Sequence, residues 1–214
     1  MSMSHPAPQP PTRGILFILS GPSGVGKDTV LRYALLRLEH IRTSVSVTTR
    51  TPRPGEVHGV DYFFVSPDDF ALMLERGDLL EHAAVHGHFY GTPRGWVTEQ
   101  LVEGMDVVLE IDVQGALQVK SQFPQAILIF LAPPSWQELA RRLSQRNTED
   151  AETINRRLRN ARQELARVDQ YEYLIINDRI SDATDRLCAI ALAERARPWR
   201  QDLTALLEED GLNG

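Results

Sequence analysis

The sequence predicts an α/β fold: a parallel-sheet core flanked by helices, with a small α+β insertion and a helical lid. Three observations predict it. Apolar-rich stretches at 15–19, 105–113, 127–131 and 173–176 read as strands buried on both faces. Amphipathic stretches separate them, and alternating strands and helices imply parallel strands joined by right-handed crossovers. Residues 46–104 break this rhythm with short strands and small helices, so they read as an insertion.

Taken in order, the first strand, ILFIL at 15–19, runs directly into GPSGVGK. Gly21, Gly24 and Gly26 let the chain turn with its N–H groups inward, because no Cβ blocks the unusual φ angles or an approaching phosphate. Pro22, Ser23 and Val25 complete the loop, and Lys27 supplies a point charge for β- and γ-phosphates. A helix over 28–40 follows, with Val30, Leu31, Ala34, Leu35 and Leu38 on one face. Its N-terminus adds positive dipole at Asp28 and Thr29. The loop fits G-x-x-x-x-G-K, with Asp28 where Ser or Thr is usual.

Residues 43–49 alternate as a strand, and 51–61 is a loop punctuated by Pro52, Pro54, Gly55 and Gly59. A short strand covers 62–65. Ser66 then caps a helix that has Pro67 at its first position and reaches about Arg76. Two short strands within 79–90 turn near Gly87, and 93–103 is helical. After the strand at 105–113 come the strand at 127–131, ended by Pro133-Pro134, helices at 135–145 and 151–168, the strand at 173–176 and a helix over 181–196. The expected organisation is a core of 14–45, 105–140 and 169–200, the insertion at 46–104 and a lid at 141–168. A proline-rich, disordered lead-in is expected at 1–13, and a short acidic surface helix in the tail at 201–214.

Composition excludes several classes. The chain has 214 residues, 42% of them hydrophobic, enough for a proper core, and a net charge of −6 that argues against nucleic acid as a partner. A single cysteine, Cys188, gives neither a disulfide framework nor a cysteine-rich metal site, and its place in a helical pattern suits core packing. No apolar run approaches the ~18 residues a membrane helix needs, and the N-terminus lacks a signal-peptide core. A cytoplasmic protein without a membrane partner is expected.

A second anion site is expected in SVTTRTPRPGEVHGVDYFF. Arg50 and Arg53 flank a proline-bearing turn, and two planar forks suit a phosphate dianion. Thr48, Thr49, Tyr62 and Tyr90 can add hydroxyl donors. Two phosphate sites point to transfer between two phosphorylated molecules rather than to hydrolysis, and such transfer needs a water-excluding, arginine-bearing cover. Arg141, Arg142, Arg146, Arg156 and Arg157 around NTEDAE supply one. In MDVVLEIDVQG, Glu110 and Asp112 lie two residues apart and on a strand would face one side. Glu110 suits Mg²⁺ held through water, or an ion pair with Lys27, or both. Asp112 suits an amide or amidine hydrogen of a ligand.

GPSGVGK, SVTTRTPRPGEVHGVDYFF, LLEHAAVHGHFYGTP, EIDVQGA and the arginine pattern of 142–158 together resemble guanylate kinase, over 15–178 with no long gap. The resemblance implies transfer of the ATP γ-phosphate to GMP, and to dGMP, with Mg²⁺, by a monomer or homodimer. It implies that Ser46, Glu81 and Asp112 recognise guanine. Carboxylates take its N1–H and exocyclic amine, a hydroxyl gives to O6, and adenine would leave a carboxylate unpaired. Arg50, Arg53, Tyr62, Tyr90 and Thr92 would hold GMP, with Thr92 where the family often has serine. Lys27, Arg146 and Arg157 would stabilise the transferring group, and Arg142 and Asn177 would lie on the ATP side. Two departures stand out. Asp28 replaces the loop hydroxyl that touches Mg²⁺, so the metal residues become Asp28 and Glu110. Asn147 stands where the lid usually has glycine, and asparagine tolerates left-handed backbone. Two other readings share these features. A phosphotransferase for another monophosphate or a sugar phosphate is opposed by Ser46, Glu81 and Asp112, and a non-catalytic phosphopeptide-binding module is opposed by the intact loop and lid arginines.

Overall fold

A computed structural model describes residues 14–85, 87–145 and 151–201. The chain runs β1 (Leu16–Ser20), α1 (Lys27–Leu35), β2 (Ile41–Thr43), β3 (Val47–Thr48), β4 (Phe63–Phe64), α2 (Pro67–Arg76), β5 (Leu79–Val85), β6 (His88–Pro93) and α3 (Arg94–Val102). It continues through β7 (Asp106–Glu110), α4 (Val113–Gln122), β8 (Ile127–Ala132), α5 (Trp136–Ser144), α6 (Ala151–Leu165), β9 (Tyr173–Ile176) and α7 (Ile180–Arg195). The expected 1–13 lead-in and the tail beyond Gln201 lie outside the described residues, as do Arg146 and Asn147.

Five parallel strands in the order β2-β7-β1-β8-β9 form the main sheet. β1 sits at its centre, and its side chains alternate between two apolar layers. Phe17 and Leu19 pack with Val30, Leu31 and Ala34 of α1 and Leu187 and Ala191 of α7. Leu16 and Ile18 pack with Val97 and Leu101 of α3 and Ala116 and Val119 of α4. Both faces are thus dry, which is why the strands carry so little polarity. A second sheet, β4-β3-β6-β5, stands beside the C-terminal ends of these strands and is mostly antiparallel, with a parallel β3–β4 pair. Ser66 caps α2 by accepting from the Asp69 N–H at 3.1 Å, with Pro67 opening the helix, as its sequence requires. Among the described residues no helix is long and apolar enough to cross a membrane.

Three local expectations need correction. The first helix stops at Leu35 rather than reaching His40, because the chain must reverse to bring β2 alongside β7. His40 takes φ 58° for that reversal, and its carbonyl accepts from the Asp106 N–H and from Arg195. The single strand expected at 43–49 is two strands in different sheets, β2 beside β7 and β3 between β4 and β6. Alternation reports a half-buried strand but not its partner. The strand expected to reach Val113 ends at Glu110, and Asp112 instead caps α4. Glu110 and Asp112 therefore do not share one strand face. The sequence reading assigned no helix there, although an Asp followed by apolar Val113, Ala116 and Val119 at helical spacing was a usable signal.

Candidate active site

The phosphate loop is bent by necessity. Gly21, Gly24 and Gly26 have φ of 142°, 84° and 95°, the left-handed range. A Cβ on Gly21 would lie 2.1 Å from the Leu131 carbonyl oxygen, so the loop touches β8 backbone and has no room for a side chain. The loop is also braced from behind. The Asn177 amide donates to the Val25 carbonyl at 2.8 Å, and Arg142 donates to the Asn177 carbonyl at 3.1 Å and to Glu138 at 2.7 Å. Asn177 and Arg142 thus bear on the loop itself, and the buried Oδ1 of Asn177 meets no donor among the described residues. Lys27 opens α1 and folds its ammonium over the loop, donating to the Gly21 carbonyl at 2.7 Å. Gly26 gives α1 no side-chain cap, the state of a helix N-terminus that anions bind.

Opposite this loop stands an acidic pocket. Glu81 on β5 is 7% exposed, and its Oε1 accepts from the Thr92 hydroxyl of β6 at 2.7 Å. Burial pushes its carboxyl up to about 7, with the Asp112 charge adding and the Thr92 bond opposing. Asp112 Oδ1 accepts from the Gly115 N–H at 2.8 Å, so the cap fixes one oxygen and leaves the other for a ligand donor. Ser46 and Thr92 line a cavity of about 320 Å³ with Asp28 and Glu110. Burial pushes Glu110 upward, Lys27 pulls it down and Asp28 pushes it up again.

The arginine site is formed but internally occupied. Arg50 lies over the rings of Tyr62 and Phe64, 5.3 and 5.8 Å from their centroids, and donates to Glu56 at 2.8 Å and to the Thr51 carbonyl at 2.9 Å. Glu56 also accepts from the Arg53 backbone N–H at 2.8 Å. These bonds, Arg50 first, hold Glu56 below the usual carboxylate range. Tyr62 and Tyr90 meet edge to face at 6.0 Å, completing an aromatic and cationic corner. The Arg53 side chain is exposed beside it. Sequence reading missed Glu56. Its signal was an acid three residues after the second of two arginines, since such a concentration of positive charge needs a counter-ion.

A cavity of about 1,090 Å³ lies between the loop and the acidic pocket, lined by Ser23 of the loop, His82 and Phe89 of the second sheet, Asp112, and Arg157 and Glu164 of α6. Arg157 therefore faces the space between the loop and the acidic pocket. Arg146, its expected companion, lies outside the described residues. Glu164 was not foreseen. Burial pushes its carboxyl upward, with Lys27 opposing and Asp112 adding. Among the described residues no group of three or more His, Cys, Asp or Glu is gathered for a metal.

A family model described as guanylate kinase matches residues 13–194. Guanylate kinase of Desulfitobacterium hafniense is 48% identical over 188 residues, covering 88% of this chain and 94% of that protein. Guanylate kinase of Bacillus subtilis is 49% identical over 190 residues, covering 88% and 93%. The crystal structure of guanylate kinase from Anaplasma phagocytophilum superposes with a TM-score of 0.73 at 35% identity, covering 92% of this chain and 95% of that one.

Proposed function

The chain belongs to the guanylate kinase family, and on that premise we propose that the two walls of its cleft seat ATP and GMP for direct in-line transfer. The reaction is phosphorylation of GMP to GDP with ATP as donor. The observation that carries the site assignment is the common cavity: Ser23 of the phosphate loop, Asp112 of the acidic pocket and Arg157 line one space. The loop, Lys27 and the α1 N-terminus hold the ATP phosphates, while Asn177 and Arg142 keep the loop in shape. Glu81 and Asp112 accept the guanine N–H donors and Ser46 gives to O6. Thr92 orients Glu81, and Arg50, Arg53, Tyr62 and Tyr90 hold the GMP phosphate.

No strong base is needed, because the GMP phosphate oxygen is itself the nucleophile. It attacks the γ-phosphorus as the bond to the ADP oxygen breaks, and Lys27, Arg157 and Arg146 stabilise the charge spread over the transferring oxygens. Glu56 must release Arg50 as the GMP phosphate arrives, exchanging one anion for another. Mg²⁺ fits the donor set, since Asp28 and Glu110 are hard oxygen donors lining one cavity. When bound, it would neutralise phosphate oxygens. The enzyme serves purine nucleotide metabolism in the cytoplasm, as a monomer or homodimer, and accepts dGMP because every named guanine and phosphate contact survives loss of the 2′-hydroxyl.

A coupled ADP-release assay with GMP, dGMP, AMP, CMP, dTMP and a sugar phosphate tests this reading. Turnover with GMP and dGMP alone is expected, and Lys27→Ala should lower it by about 10²-fold or more in a folded protein. Preference for another acceptor, or near-normal turnover in the lysine variant, would overturn it.

A further inference from the structure

The first turn of α4 holds a glycine where alanine would make a better helix. Gly115 is buried and has ordinary helical backbone, so no left-handed angle explains it. What explains it is Glu81. A Cβ on Gly115 would lie 2.9 Å from Glu81 Oε2 and 3.4 Å from both its Cδ and Cγ. A Cβ does not survive at 2.9 Å, so one partner would have to move. Retreat of the helix would displace Asp112, since the Gly115 N–H is the donor that fixes Asp112 Oδ1 at 2.8 Å. Retreat of the carboxylate would break its 2.7 Å bond from Thr92, in a site where Glu81 is 7% exposed.

We propose that Gly115 is a positioning residue for guanine recognition: its missing side chain lets the Glu81 carboxylate seat against α4, beside the carboxylate that the same turn holds in place. This deepens the proposed GMP site and rests on that reading. Gly115 touches each acid differently, Asp112 through its N–H and Glu81 through the absence of a methyl. One residue thereby sets the separation of the two acceptors. A purine carrying both N1–H and a 2-amino group presents two donors side by side, and an acceptor pair of fixed separation matches them. A purine with the 6-oxo group but no 2-amino group, as in IMP, uses less of the pair.

The test compares wild type with Gly115→Ala, Glu81→Asp and the double variant in steady-state kinetics with GMP, IMP and ATP. Gly115→Ala is expected to raise KM for GMP about 10- to 100-fold, as expected for a sub-ångström to 1 Å misplacement, while KM for ATP stays near wild type. The preference for GMP over IMP in kcat/KM should narrow. Glu81→Asp withdraws the carboxylate from the new methyl, so it should cost less in the Gly115→Ala background than in wild type. A GMP KM within about twofold of wild type, a parallel rise in the ATP KM, or additive penalties would each overturn the inference. A wild-type enzyme that does not use GMP would overturn both this inference and the proposed function. An active wild type beside an unaffected Gly115→Ala variant would overturn this inference alone.

Discussion

In the proposed GMP site Glu81 acts as an ionised acceptor for guanine N–H groups, yet burial pushes its carboxyl up to about 7. The protonated form is the one the empty fold prefers. Its contribution to stability is therefore full below the ordinary carboxylate value of 4.5 and is lost as pH rises through about 7, on the order of 3 kcal/mol in all. Under the proposed function binding runs the other way, because the ionised form is the one that accepts the guanine donors. We expect kcat/KM for GMP to rise from about pH 6 and to level off above about pH 7.5, with Glu81→Gln lacking that inflection. A flat profile over that range would remove Glu81 from recognition. At this scale the sequence was informative about residue type and silent about state. That Glu81 reads guanine was implied by likeness, whereas its burial, its bond from Thr92 and its nearness to Gly115 depend on strands and a helix far apart in the chain. Glu56 was missed for a more local reason: a carboxylate on an exposed loop looks solvated until the fold of that loop places its two arginine partners.

Helix α4 shows how one element carries two duties. Asp112 caps it, and Asp112 also offers an oxygen to the cleft. The two duties separate by substitution. Asparagine caps as well as aspartate, so Asp112→Asn should melt close to wild type yet lose GMP affinity, because one face of an amide donates where guanine also donates. Asp112→Ala should lose the same affinity and also about 1 kcal/mol of stability, read by urea titration. Equal stability losses in the two variants would separate the cap from the acid. This helix was legible in principle from its N-cap and apolar spacing. It was hidden because the preceding apolar strand ran on in composition past its geometric end. The phosphate loop was the opposite case. Its glycine spacing and the strand before it were enough, because the backbone angles of 84°, 95° and 142° narrow the choice almost to glycine.

For the whole molecule, the shape of the cleft matters most. A cavity of about 1,090 Å³ bounded by the second sheet, the loop and α6 is too open to keep water from a transferring phosphoryl group. The walls belong to separate layers, so closing it requires their relative movement. Small-angle scattering should show a smaller radius of gyration when a bisubstrate analogue joining adenosine and guanosine through phosphates is added, and less change with either nucleotide alone. An unchanged radius would mean that the described arrangement is already the working one. At the opposite, N-terminal end of the main sheet the strands are tied to α7 by Asp106, which is 1% exposed and accepts from the Ile15 N–H just before β1 and from Arg195 of α7, each at 2.7 Å.

The sequence by itself determined the parallel sheet, the phosphate loop and the residue types of an acceptor site, because each rests on local periodicity, on backbone angles open mainly to glycine, or on charge that must be answered nearby. Only the tertiary structure decided that residues 41–48 serve two sheets, that Glu56 answers Arg50, and that Gly115 leaves room for Glu81. The sheet pairings and the Gly115–Glu81 approach join segments distant in the chain, and the Arg50–Glu56 pair depends on how one loop folds back on itself, so the local pattern holds no record of any of them.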